Sequence, residues 1–145
     1  MKNCMSVVKC FVDTNILIYA HDPYAGPKHE RAAKVVTDLW QARAGVLSTQ
    51  VLQEFCVAVR RFDRSFPLED LARIVQNFFG WEIIVNSGES ILSALAMEAR
   101  YQISFWDALI VNAAQIAHAD VLYTEDLNDG QLFGSVRVVN PLKSS

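Results

Sequence analysis

Basic residues are the scarcer charge in this 145-residue chain. Lys and Arg number 13 against 16 Asp and Glu, for a net charge of −3. A protein that holds nucleic acid by bulk electrostatics presents a basic face or tail, so that class is excluded, although a local groove is not. Charge of either sign is sparse, at 20% of residues against 52% hydrophobic, which excludes intrinsic disorder. The three cysteines, Cys4, Cys10 and Cys56, are odd in number and lack any metal-site spacing. Cys10 and Cys56 lie in apolar runs, where a thiol acts as a small hydrophobe, so a reduced, cytoplasmic setting is expected. No apolar run approaches the roughly 20 residues of a membrane span. The apolar start is broken by Lys9 and stops at Asp13, which makes a poor signal peptide. Repeats, low-complexity tracts and linkers are missing as well, and a single domain over residues 1–145 is expected.

What is present begins with Val7-Val8-Lys9-Cys10-Phe11-Val12-Asp13-Thr14-Asn15. This apolar, β-branched run is too short for a helix of usual length and suits a central strand buried on both faces. In an open parallel sheet, ligands bind beyond the carboxyl ends of the strands, where strand order reverses. Asp13 stands at such an edge. Downstream, short helical turns over Asn15–Ala20 precede a helix over Lys28–Arg43, with Ala32, Val35, Val36, Leu39 and Trp40 on one stripe. Gly45–Ser48 reads as a strand and Thr49–Phe62 as a helix. Pro67 suits the first helical position of a segment running to Phe79. Strand Trp81–Val85, helices Glu89–Tyr101 and Phe105–Ala117, and strands Val121–Tyr123 and Val136–Val139 complete the chain. Strands alternating with helices, joined by right-handed crossovers, give a three-layer α/β/α domain around a central, mostly parallel sheet.

Four acids recur at informative places. Asp13 ends a strand, Glu54 sits beside the apolar stripe of Thr49–Phe62, Asp107 lies in the first turn of a helix, and Asp126 follows a strand. Each has a plainer explanation. Asp13 could be an N-cap, Glu54 a solvent-facing or Arg-paired acid, and Asp107 part of a capping box with Ser104. The Asp, Asn and Gly residues around Asp126 and Asp129 are ordinary turn chemistry. Around Asp107, the bulk of Trp106, Leu109, Ile110 and Val111 suggests a helix start packed inside. Brought together, the four acids would need a counter-charge: two carboxylates ~4 Å apart at an effective dielectric of about 20 repel by roughly 4 kcal/mol. No Lys or Arg lies in the immediate motifs. A divalent cation fits, and all-oxygen ligands select Mg²⁺ or Mn²⁺.

These segments carry a resemblance. Phe11-Val12-Asp13-Thr14-Asn15, Glu54, Ser104-Phe105-Trp106-Asp107-Ala108 and Thr124-Glu125-Asp126-Leu127 resemble the four motifs of PIN-domain nucleases. Within that family, length and phrasing are similar to VapC-type toxins of toxin–antitoxin pairs. The resemblance implies a metal-dependent endoribonuclease, often a homodimer, silenced by a small antitoxin. It also allows a PIN nuclease that matures RNA without being a toxin, or a PIN-like binding module with little cleavage. Asp13, Glu54, Asp107 and Asp126 would hold one or two Mg²⁺ or Mn²⁺ ions, directly or through water. Thr14, Asn15 and Thr124 are candidates for orienting a carboxylate or phosphate. Arg60, in the cluster Arg60, Arg61 and Arg64, is the candidate phosphate contact, with a solvated face as the plainer reading.

Other chemistries fit less well. His21, His29 and His118 fall in no motif that pairs them as general acid and base. A haloacid-dehalogenase phosphatase needs a second Asp two residues after the first, where Asn15 stands. A phospho-accepting receiver domain needs an early acid pair and a lysine after a late strand, and neither is present. The charge balance also predicts the inhibitor: a partner segment whose Arg enters the acidic groove near Asp13 and Asp107, supported by apolar anchors.

Overall fold

The structure, a computed structural model, describes residues 8–144. Val7 of the predicted first run, together with Cys4, lies outside the described residues. The order is β1 (Cys10–Val12), α1 (Thr14–His21), α2 (Pro27–Ala42), β2 (Gly45–Ser48), α3 (Thr49–Phe62) and α4 (Leu68–Phe78). Then come β3 (Glu82–Ile84), α5 (Gly88–Tyr101), α6 (Phe105–Ile116), β4 (Val121–Tyr123), β5 (Leu132–Phe133) and β6 (Val136–Val139). One six-stranded sheet has the order β3-β2-β1-β4-β6-β5, parallel except for the β5–β6 pair. The mostly parallel sheet flanked by helices agrees with the architecture expected from the alternation.

The apolar run forms its strand because both faces are covered. Cys10, Phe11 and Val12 are all buried, and β1 hydrogen-bonds to β2 on one side and β4 on the other. Near the edge the pattern relaxes to alternation: Val136 and Val138 are buried while Arg137 between them is exposed. The chain steps from β1 to β2 to β3 in one direction, then returns to place β4 on the other flank of β1. Right-handed crossovers put α1–α4 on one face and α5–α6 on the other. Among the helices, α1 packs on α2 and α3, and α5 on α6. The reversal falls between β1 and β4, so the crevice beyond their carboxyl ends is the place where a site is expected.

Boundaries differ from expectation for local reasons. Arg43 turns to φ 54 and closes α2 one residue early. Pro67, at ψ 132, is the cap of α4 and not its first residue. Strand β5 went unread because two residues carry no period; it turns back on β6 through Gly134, at φ 62.

At the opposite end of the sheet, Gly45 starts β2 directly beneath the buried indole of Trp81. A Cβ there would lie 2.4 Å from the ring. Trp81 is itself wedged among Trp40 and Phe78 at 5.3 and 5.1 Å between ring centroids, leaving it little room to yield. Gly45→Ala should therefore cost roughly 1–3 kcal/mol, the usual cost of overpacking. Urea denaturation measures it, and an unchanged midpoint would mean that the Trp81 ring moves aside freely.

Candidate metal centre

Asp13 leaves β1 and begins α1. Its Oδ1 accepts the Thr14 amide and its Oδ2 the Thr124 hydroxyl, both at 2.7 Å. The capping role is thus real, yet it coexists with a second one: Asp13 is only 4% exposed and faces other acids. Burial pushes its carboxyl up to about 7. The bonds from Thr124 and Thr14 oppose the rise, and Asp126 and Asp107 add to it.

Asp126 is placed by the same threonine. Its backbone amide donates to Thr124 Oγ1 at 3.1 Å, and its Oδ2 accepts Asn15 Nδ2 at 2.9 Å. Asp107 comes from the other face of the sheet, in the first turn of α6. Ser104 caps that helix by accepting the Asp107 amide at 3.1 Å. The capping bond therefore runs through Asp107's backbone, and its carboxylate still reaches the other acids. Burial raises the Asp107 pKa, the Ser104 hydroxyl lowers it, and Asp126 and Glu54 raise it further.

Oxygens of Asp13, Asp107 and Asp126 lie within 4.8 Å of one another. Glu54, the fourth expected acid, stands outside that trio. Its Oε1 accepts the Thr14 hydroxyl at 2.6 Å and its Oε2 faces Gln50 Nε2 at 3.5 Å. Among the described residues no Lys or Arg pairs with any of the four, although five other acids have such partners. Two buried carboxamide oxygens nearby, Asn15 Oδ1 and Gln50 Oε1, also lack a donor. The donor set is all oxygen, uncompensated and partly desolvated, and it fits a hard divalent cation.

Of the supporting residues read from the sequence, Thr14, Asn15 and Thr124 all join this network, each holding a carboxylate. Arg60 does not. Its Nε donates to the Cys56 carbonyl at 2.9 Å, and it lines an apolar groove between α3 and α4 with Leu68, Val75 and Phe79. Its neighbour Arg61 lines the groove of about 590 Å³ that contains Thr14, Asn15, Glu54 and Asp126. Helical spacing distinguishes them, since Arg61 is seven residues after Glu54, two full turns on the same face, and Arg60 is six. Trp106, expected inside with Leu109, Ile110 and Val111, is 61% exposed on the same groove, while those three are buried. Gln50 joins the site in addition to the residues that the sequence points to. It is buried and donates to the Trp106 carbonyl at 3.3 Å, tying α3 to the start of α6; a helical Gln gives no signal of this in sequence.

A family model described as PIN domain matches residues 10–129. No curated protein sequence matches the chain. Several solved structures share the fold. VapC20 of Mycobacterium tuberculosis, described as a sarcin-ricin loop cleaving toxin, superposes with a TM-score of 0.68 at 19% identity over 89% of this chain and 99% of its own. A toxin–antitoxin complex from Klebsiella pneumoniae gives 0.65 at 21% identity, covering 92% and 98%. A DNA-bound VapBC from Salmonella typhimurium gives 0.58 at 18%, covering 90% and 96%.

The acids set a pH dependence. Folded Asp13 holds a proton up to about 7 that the unfolded chain releases near 3.8. Its contribution to stability is complete below that lower value and is lost as pH rises through 7. Metal-free protein should therefore lose melting temperature between pH 4 and 8, and Asp13→Asn should flatten the decline. A melting temperature in EDTA that climbs over this range would mean the carboxylates are stabilised as anions. Asp107→Asn should raise the melting temperature in EDTA at pH 8 and abolish the upward shift with Mn²⁺. A lowered value with the Mn²⁺ shift intact would reduce Asp107 to a helix-start residue.

Proposed function

The chain belongs to the PIN domain family, and on that premise we propose that it is a metal-dependent endoribonuclease, the toxin of a type II toxin–antitoxin pair. The observation that carries this reading is the meeting of Asp13, Asp107 and Asp126 from three separate elements with no cationic side chain among them. The described toxin and toxin–antitoxin complexes of similar fold support it. Asp13, Asp107 and Asp126 would hold Mg²⁺ or Mn²⁺, with Glu54 contributing directly or through water. Such an ion, when bound, lowers the pKa of water and offsets charge on the phosphate, which is the chemistry of phosphodiester hydrolysis.

The chain's own part is to keep the acids aimed. Thr124 donates to Asp13 and orders the Asp126 amide, Asn15 fixes Asp126, and Thr14 fixes Glu54. The bond from Thr124 favours the charged Asp13 carboxylate against its burial. Where the polar network ends, apolar residues restrict water: Phe11, Val12, Ile16 and Leu17 are fully buried beneath the site.

A partner follows from the same charges. A guanidinium forms two parallel hydrogen bonds to a carboxylate, so an antitoxin segment carrying an Arg would enter the groove near Asp13 and Asp107. A homodimer belongs to the same reading, supported by the exposed Ile91, Leu92 and Leu95 on α5. So does a cytoplasmic location; among the described residues no helix is long and apolar enough to cross a membrane.

Single-stranded or loop RNA should be cut with Mg²⁺ or Mn²⁺ and poorly with Ca²⁺, whose looser geometry positions water less well. Asp13→Asn should lose cleavage while its circular dichroism stays unchanged. Cleavage surviving in EDTA, or in that variant, would sink the mechanism. With the natural partner bound, raising Mn²⁺ at fixed protein concentration should relieve inhibition. Inhibition indifferent to metal would place the partner elsewhere.

A further inference from the structure

The groove beside the acids has a composition that metal binding does not explain. Along α3, Glu54, Val57, Ala58 and Arg61 share one face and line it. Seven residues of helix separate Glu54 from Arg61, about 10 Å along the axis. Arg61 is exposed and, among the described residues, makes no ion pair or side-chain hydrogen bond. Val57, between them, is exposed as well. The opposite wall is Trp106, adjacent in sequence to Asp107. Its indole is 61% exposed, braced edge-on by Phe105 at 5.6 Å, and its carbonyl is tied to Gln50 of α3. A large aromatic ring held open beside an acidic site, with a free guanidinium about two helical turns away, has an unspent apolar face and an unspent charge.

We infer that this groove is a track for single-stranded RNA, in which one unstacked base lies on the Trp106 indole and Arg61 pairs with a phosphate neighbouring the scissile one. This rests on the nuclease reading for which phosphate is cut, but the track binds on its own chemistry. Stacking on an aromatic face tolerates any base and needs that base out of a duplex, because paired bases present only their edges. A guanidinium holds a phosphate oxygen pair with two parallel bonds. The same Arg61 disfavours an Arg-bearing peptide at this end of the groove, while leaving the acidic end open to one. Single-stranded RNA is therefore the occupant that satisfies both ends at once.

The test is binding of a fluorescent single-stranded RNA of about ten nucleotides, followed by anisotropy in Ca²⁺, with cleavage measured separately in Mn²⁺. Trp106→Ala should weaken binding roughly tenfold, within the range of one lost base stack, and leave the salt dependence unchanged. Trp106→Phe should retain most of the affinity. Arg61→Gln should weaken binding severalfold and reduce the slope of log Kd against log salt by about 0.7, one phosphate contact on a single strand. Arg43→Gln, the same charge change at the opposite end of the sheet, should do neither. Melting temperatures should stay level, since both track side chains are exposed. The inference is overturned if Trp106→Ala binds and cleaves as the parent does, or if a duplex RNA binds as well as the single strand. It is also overturned if Trp106→Ala loses only an arginine-containing peptide, which would assign the groove to a protein partner. Binding that falls in both variants while no RNA is ever cut in Mn²⁺ would leave the track standing and remove the nuclease reading.

Discussion

The site hangs from one buried contact, the 2.7 Å hydrogen bond from the Thr124 hydroxyl to Asp13. It exists because β1 and β4 pair in parallel with Val12 opposite Tyr123, which sets the next residue of each strand, Asp13 and Thr124, side by side. The Asp13 amide completes the ladder by donating to the Tyr123 carbonyl at 2.9 Å. From that fixed point the rest is positioned outward. Thr124 receives the Asp126 amide, Asp126 receives Asn15, and Thr14 reaches Glu54 on α3. A one-residue slip of β4 against β1 would turn Thr124 to the opposite face and dismantle the set. Fold register and site geometry are therefore a single constraint.

That constraint works against stability. Burial desolvates Asp13, and neighbouring Asp126 and Asp107 repel it, which is why it retains a proton to about 7. The core absorbs this: Phe11, Phe55, Leu47 and Leu122, all fully buried, surround the sheet on both faces. Tension of this kind is common where function requires a group that packing would not choose. Here a proton or a counter-charge would relieve the tension, so protonation and cation binding would compete for the same oxygens.

Much of this was legible in the sequence, and the illegible remainder has physical causes. Strand β1 could be read because a strand covered on both faces is a continuous apolar run, and α3 because its buried Val51, Leu52, Phe55 and Val59 keep helical spacing. Asp13 and Asp126 could be placed because strand ends are fixed points of a parallel sheet. Asp107's part is obscured by Ser104, because a helix cap by itself accounts for an acid at that position. Helix α6 misled in another way. Ala108 to Ala114 are buried without interruption, so no period marks which side faces out, and Trp106 at its start reads as core although it is exposed. Glu54's place beside the trio depends on Thr14, a contact forty residues distant that no local pattern records. Arg60 and Arg61 differ by a single helical step, and only the tertiary structure shows that Arg60 lines the groove with α4 while Arg61 lines the one with the acids.

On the proposed nuclease reading, an acidic chain acting on RNA would face a problem of attraction. With net charge −3 and an uncompensated carboxylate cluster, its long-range field repels a polyanion, so steering cannot supply the encounter. Short-range chemistry has to. A divalent ion at the acids would reverse the sign of the field locally, and within a Debye length of about 8 Å at physiological salt that reversal would reach only the nearest phosphates. Beyond it, the groove offers one guanidinium and an exposed indole. Binding built from so few charges depends little on salt and heavily on whether a base is free to unstack. Selectivity for unpaired segments would then come from the scarcity of basic residues itself, because a duplex, which needs many phosphate contacts, would find too few to hold it.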